Sequence, residues 1–137
     1  MIEMELSKII IDEKRQDQII VLKEKNGTRL LPIIIGLLEA SAIKLKISGA
    51  VPPRPLTHDL LKVVIDALDA QVKKILIDKL EDSTFHAKIV LLQKSSSREK
   101  VIDARPSDSI ALAVRVKAPI FVEEDVVKRS EVFQKGQ

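Results

Sequence analysis

Residues 30–48 read LLPIIIGLLEASAIKLKIS, and the change of period inside this stretch decides the fold. Up to Ile35 the run is aliphatic and largely β-branched, which is the composition of a strand. From Gly36 the apolar positions Leu37, Leu38, Ala42 and Leu45, with Ala40 and Ile43 beside them, follow a helical period. They cover more than one face, which predicts a helix over 36–48 buried on two sides. Gly49 stands where such a helix ends in the left-handed conformation. Glu39 is the odd member: neither Ala42 nor Ile43, one turn on, can pair with a carboxylate. A position near the helix start, facing solvent, accounts for it.

Upstream, residues 4–11 and 18–22 read as strands around a polar hairpin loop at 12–17. Asn26 and Gly27, suited to positive φ, turn the chain into the LLPIII strand, where Pro32 marks an edge or a bulge. The opening is therefore an antiparallel meander. Downstream, PPRP makes residues 50–56 an extended linker. Thr57 is expected to cap a helix running from His58 to about Leu68, with Asp59 in its first turn. Residues 72–80 and 85–92 read as strands joined at 81–83, and KSSSR at 94–98 as a basic loop. A short strand at 101–104 leads to a helix from Asp108 to about Val116 with Ser107 as its cap. Ala118 and Pro119 break that helix, and 121–124 form a last strand or turn. The expectation is one α+β domain over 1–125, an antiparallel or mixed sheet packed with about three main helices. Residues 126–137 are read as a tail, partly helical or disordered.

The 137 residues carry 23 basic and 20 acidic side chains, a net charge of +3 that permits polyanion contact without demanding it. The apolar runs are too short to cross a bilayer. The absence of cysteine excludes disulfide scaffolds and cysteine metal sites, and the acidic start MIEMEL lacks a signal peptide's basic region, so the expected setting is cytoplasmic. With three Phe and no Tyr or Trp, stacking platforms for bases are scarce, and any nucleic acid would be gripped by its phosphates. Lys44, Lys46, Arg54, Lys94, Arg98 and Lys100 are the candidate contacts. So apolar a chain leaves surface to cover, which points to a homo-oligomer.

Three segments, LPIIIGLLEASAI at 31–43, PRPLTHDLL at 53–61 and IDARPSDSIALAVR at 102–115, resemble the bifunctional nuclease family. These are small bacterial and plant domains credited with cleaving RNA and DNA. LEDSTFHAKIVL at 80–91 is similar to that family's strand pair, with His86 where Tyr is frequent and Ser83 where Gly is frequent. The resemblance spans roughly residues 6–122 and implies a nuclease of low sequence specificity.

Each matching segment delivers polar residues to the start of a helix: Glu39; Thr57, His58 and Asp59; Arg105, Ser107 and Asp108. Helix N-termini leave N–H groups unpaired and carry partial positive charge, so three converging ends would cradle a phosphate. His58, Asp59, Asp108 and Glu39 are the candidate catalytic residues. Arg54, Thr57, Arg105 and Ser107 are the candidate phosphate binders. Asp59, Asp103 and Asp108 are the candidate ligands for a divalent cation, magnesium or manganese. Other readings stay open. Asp59 and Asp108 complement helix dipoles, Thr57 and Ser107 cap, and His58 is a structural imidazole. Arg54 and Arg105 tie loops to carboxylates such as Asp59 and Asp103, and His86 is a surface strand residue. The alternative function is a non-catalytic oligomeric domain recognising an anionic ligand.

Overall fold

The computed structural model describes residues 1–135, with side chains described as far as Glu131. Strands β1 (Ile2–Ile10), β2 (Asp17–Glu24) and β3 (Leu30–Gly36) form the antiparallel meander. Helices α1 (Leu37–Ile47) and α2 (Thr57–Ala67) follow, then β4 (Ala70–Glu81), β5 (Thr84–Gln93) and β6 (Glu99–Ala104), a second antiparallel set. Helix α3 (Pro106–Val116), the short β7 (Ile120–Val122) and α4 (Glu124–Lys135) complete the order.

The strands form one seven-stranded mixed sheet in the order β3-β2-β1-β7-β4-β5-β6. Three-residue β7 joins the two blocks, antiparallel to β1 and parallel to β4. Pro32 sits in edge strand β3, where a missing N–H costs no ladder bond on the open side. The sheet curls far enough for β3 and the β4–β5 hairpin, with β2, β1 and β7 ordered between them, to line one cavity. Inside the curl lies α3, which packs on α1, α2, β4 and β5 and is buried at eight of its 11 positions. Its small residues Ser109, Ala111 and Ala113 allow that close packing. Val126 and Val127 of α4 reach the same core.

Local details differ from expectation for definable reasons. Neither Thr57 nor Ser107 caps a helix: the cap positions are Leu56 and Arg105. Asp59 accepts the Leu56 N–H at 3.0 Å, the bond by which a third-position acid reaches back to the cap backbone. Pro106, whose fixed φ suits a first helical position, moves the other cap to Arg105. Asn26 and Gly27 lie in a longer loop at 25–29 and have no positive φ, so the tight two-residue turn is not formed. Such a turn occurs instead between β4 and β5, where Asp82 and Ser83 have φ of 49° and 63°. Helix α1 is buried on one side only, through Ala40 and Ile43, while Leu38 is 82% exposed.

Candidate functional site

With caps at Gly36, Leu56 and Arg105, the acids Glu39, Asp59 and Asp108 each occupy the third position of their helices. From there a short carboxylate reaches back to the helix start or sideways to a neighbouring helix. Packing of α3 against both α1 and α2 then connects them. His58 Nε2 lies 2.9 Å from Asp108 Oδ1. Arg105 Nε donates to Asp108 Oδ2 at 2.8 Å, and its Nη2 donates to Glu39 Oε1 at 2.8 Å. One chain of polar contacts, His58 to Asp108 to Arg105 to Glu39, therefore runs across the starts of three helices. A Cβ on Gly36 would lie 2.6 Å from Glu39 Oε2, so glycine makes room for that carboxylate. The solvent-facing reading of Glu39 gives way to a largely buried side chain paired with Arg105.

Charge and burial vary along this chain. The His58 side chain is 12% exposed and that of Arg105 66%. Burial opposes ionisation of Asp108, but hydrogen bonds from Arg105 and His58 outweigh it and hold the carboxyl below its usual range. The pairing with Asp108, then with Glu39, raises the Arg105 guanidinium in turn. An ionised Asp108 only accepts, so the bond requires the proton on His58 Nε2 and leaves Nδ1 as the lone-pair nitrogen of the neutral ring. The arrangement orients an imidazole through a carboxylate and sets a guanidinium beside it at the helix starts. A phosphate could exchange for the carboxylates on Arg105.

The remaining predicted residues lie elsewhere. Asp59 turns to Arg115, whose Nε donates to its Oδ1 at 2.7 Å. The Leu56 N–H contributes most, and Arg115 further, to holding the Asp59 carboxyl low against the effect of burial. Asp103 is exposed on β6 and accepts from Lys88 at 3.0 Å, an interaction that raises the Lys88 ammonium. Arg105 thus pairs with Glu39 and Asp108, not with Asp103. Arg54 is exposed in the 50–56 linker, Thr57 is exposed at the start of α2, and His86 is half-buried on β5. Ser107 is buried beside a cavity of about 650 Å³. Among the described residues no group of three His, Asp or Glu is placed to hold a metal ion, and Asp59, Asp103 and Asp108 each already face a cation. These residues do not fit a preformed divalent site.

Arg115 is not among the candidates that the sequence singles out, yet it holds three elements together. Its side chain is 3% exposed, and besides Asp59 it donates to the Ala111 and Ala42 carbonyls at 2.8 and 3.2 Å. A lone arginine in the last turn of the otherwise apolar IALAVRV was the available signal, since cations favour helix C-termini.

A family model described as the bifunctional nuclease domain matches residues 20–135. A Mycobacterium tuberculosis protein named only as uncharacterised is 42% identical over 128 residues, which is 93% of this chain and 75% of that protein. Bifunctional nuclease 2 of Oryza sativa subsp. japonica is 31% identical over 85% of this chain and 36% of its own length. Bifunctional nuclease 1 of Arabidopsis thaliana is 32% identical over 77% of this chain and 33% of its own length. The chain thus spans about a third of the length of these plant relatives.

Proposed function

The chain belongs to the bifunctional nuclease domain family, and on that premise we propose that it hydrolyses phosphodiester bonds in RNA and DNA at the His58, Asp108, Arg105 and Glu39 cluster. The observation that carries the reading is the contact chain itself, which sets an oriented imidazole and an exposed guanidinium together at three helix starts. Phosphodiester hydrolysis needs an activated water, compensation of charge on the phosphoryl oxygens and a proton for the leaving oxygen. His58 Nδ1 takes the proton from the attacking water and returns it to the leaving oxygen as the P–O bond breaks, Asp108 holds the ring through Nε2, and Arg105 meets the phosphoryl oxygens. Glu39 holds Arg105 until substrate arrives.

Specificity is low because phosphate contacts carry no sequence information. The exposed Lys44, Lys46 and Arg54 extend the basic surface, and Lys46 lies close enough to Asp59 for its charge to favour the ionised carboxylate. No helix among the described residues is long and apolar enough to cross a membrane. The proposed setting is the cytoplasm, and the proposed state is a homo-oligomer. Leu60, Leu61 and Val64 on α2 and Leu68 at its C-terminal cap, all exposed, support the latter.

The test is cleavage by highly purified chain of single- and double-stranded RNA and DNA, with and without chelator, beside His58→Asn and Asp108→Asn. Loss of cleavage in both folded variants is the expected result. Cleavage unchanged in both overturns the site, and chelator-sensitive cleavage brings a magnesium or manganese ion into it. Absence of cleavage in the wild type favours the second reading, a non-catalytic oligomeric domain that recognises an anion. The ion-paired state of Glu39, Asp59 and Asp108 supports that reading.

A further inference from the structure

The cavity beside the cluster has no part in the cleavage scheme, yet its walls are chemically divided. Its volume of about 650 Å³ is that of a small-molecule site. Ile33, Ile35 and Leu80 make an aliphatic floor next to Phe85, while Ile19 and Ile34 lie on the other face of the β2–β3 pair. At one end stands the start of α3, with Arg105, Pro106 and Ser107 on the wall. Pro106 has no N–H, and the Ser109 N–H is taken by the Arg105 carbonyl at 3.0 Å. No side chain caps the helix, so the Ser107 and Asp108 N–H groups keep the unpaired state of a first turn. Ser107 is only 6% exposed, lines the cavity, and its hydroxyl has no hydrogen-bond partner among the described residues. Asp78 Oδ1 is the buried side-chain atom without a partner among the described residues, so the unpartnered Ser107 hydroxyl opens onto the cavity, free to donate to whatever occupies it.

We propose that this cavity is a subsite for one unpaired nucleotide, its phosphate held at the start of α3 and its base laid on the aliphatic floor against Phe85. The inference rests on the reading of the chain as acting on nucleic acid, and it names the substrate form. The Ser107 hydroxyl, the two N–H groups and Arg105 are all donors, as a phosphate requires. The apolar floor then has to be covered by the rest of the molecule. An alkyl tail would cover it, but it would make no use of Asp17, Ser83 and Thr84, the exposed polar residues that also line the cavity. A base offers ring N–H and amino groups to such acceptors along with a flat apolar face. A base stacked in a duplex has no free face to lay there, so the subsite selects single strands and frayed ends. Arg105 borders both cavity and cluster, which places the bound phosphate next to His58 and Asp108.

The experiment is calorimetric titration of the full chain with adenosine 5′-monophosphate, adenosine, inorganic phosphate and octyl phosphate at fixed ionic strength. The nucleotide is expected to bind at least about tenfold tighter than each of the others. Ser107→Ala, which removes only the hydroxyl, should weaken it about tenfold. Thr84→Trp, at an exposed position on the cavity wall, should block it while circular dichroism stays native. Octyl phosphate binding as tightly as the nucleotide overturns the inference, and so does unchanged binding in both folded variants. Nucleotide binding with these losses in a chain that cleaves nothing upholds the subsite and removes the nuclease reading. Cleavage without nucleotide binding, at equal rates on single strands and duplex, upholds the nuclease reading and overturns the subsite.

Discussion

The two ends of α3 carry the same interaction under opposite conditions. At the C-terminal end Arg115, 3% exposed, has a hydrogen bond from each of its three nitrogens, to Asp59, Ala111 and Ala42. At the N-terminal end Arg105, 66% exposed, meets Asp108 and Glu39 and leaves Nη1 without a partner among the described residues. Each arginine joins α3 to neighbouring helices. Burial makes Arg115 a tie, because nothing in a dry interior replaces its partners once they are lost. Exposure makes Arg105 exchangeable, because water and ions compete for both sides of the pair and little stability depends on it. A salt bridge therefore tells little about role until its solvent contact is known.

The largest effect expected is on folding. Arg115→Ala should cost about 3 kcal/mol in urea unfolding, since it leaves the half-buried Asp59 carboxylate without its cation and empties the space between three helices. Arg105→Ala should cost no more than about 1 kcal/mol. Equal losses in the two would break the comparison. Next comes activity. His58→Asn should lower cleavage by at least about a hundredfold with the unfolding midpoint nearly unmoved, as removal of a proton-transfer group does. A parallel fall in midpoint would make the N-terminal end structural as well.

Acid provides a smaller and sharper distinction. The Asp59 and Asp108 carboxyls are both held below their unfolded value of 3.8, so each contributes stability that is fully present above that pH. That stability is lost as pH falls through the lower folded value, where the native state takes up its protons last. Unfolding measured from pH 6 to pH 2 should show the loss below about pH 4, and Asp59→Asn should flatten it more than Asp103→Asn, whose partner Lys88 lies on the open sheet. An equal response from Asp103→Asn would argue that burial does not separate these pairs. The smallest effect lies away from both ends. Ser83→Gly should raise stability by about 0.5 kcal/mol by relieving its φ of 63°. A loss at that position would mean the hairpin turn is held by its side chain instead.

Local rules explain what could be read in advance and what could not. The meander, the switch to helical period at Gly36, the PPRP linker and the β4–β5 pair all follow from composition within a few residues. The caps were misplaced by one residue because Thr57 and Ser107 are favoured cap types. Asp59 in one helix and Pro106 in the other satisfied different local requirements. Two-sided burial of α1 failed because its apolar residues do not reveal how many neighbours reach them, and the sheet curls toward α3 instead.

The sequence by itself determined which residues stand at the helix starts, because periodicity, prolines and first-turn acids act over one or two turns of chain. Only the tertiary structure decided which of them meet. His58 with Asp108, Arg105 with Glu39 and Arg115 with Asp59 are separated by 50, 66 and 56 residues, and no local preference reaches that far. The curl of the sheet around α3 brings α1 and α2 against that one helix. In doing so it buries the Arg115 side chain and leaves that of Arg105, at the cap, in solvent. This is why two arginines ten positions apart differ as a buried tie and an exposed, exchangeable ion pair.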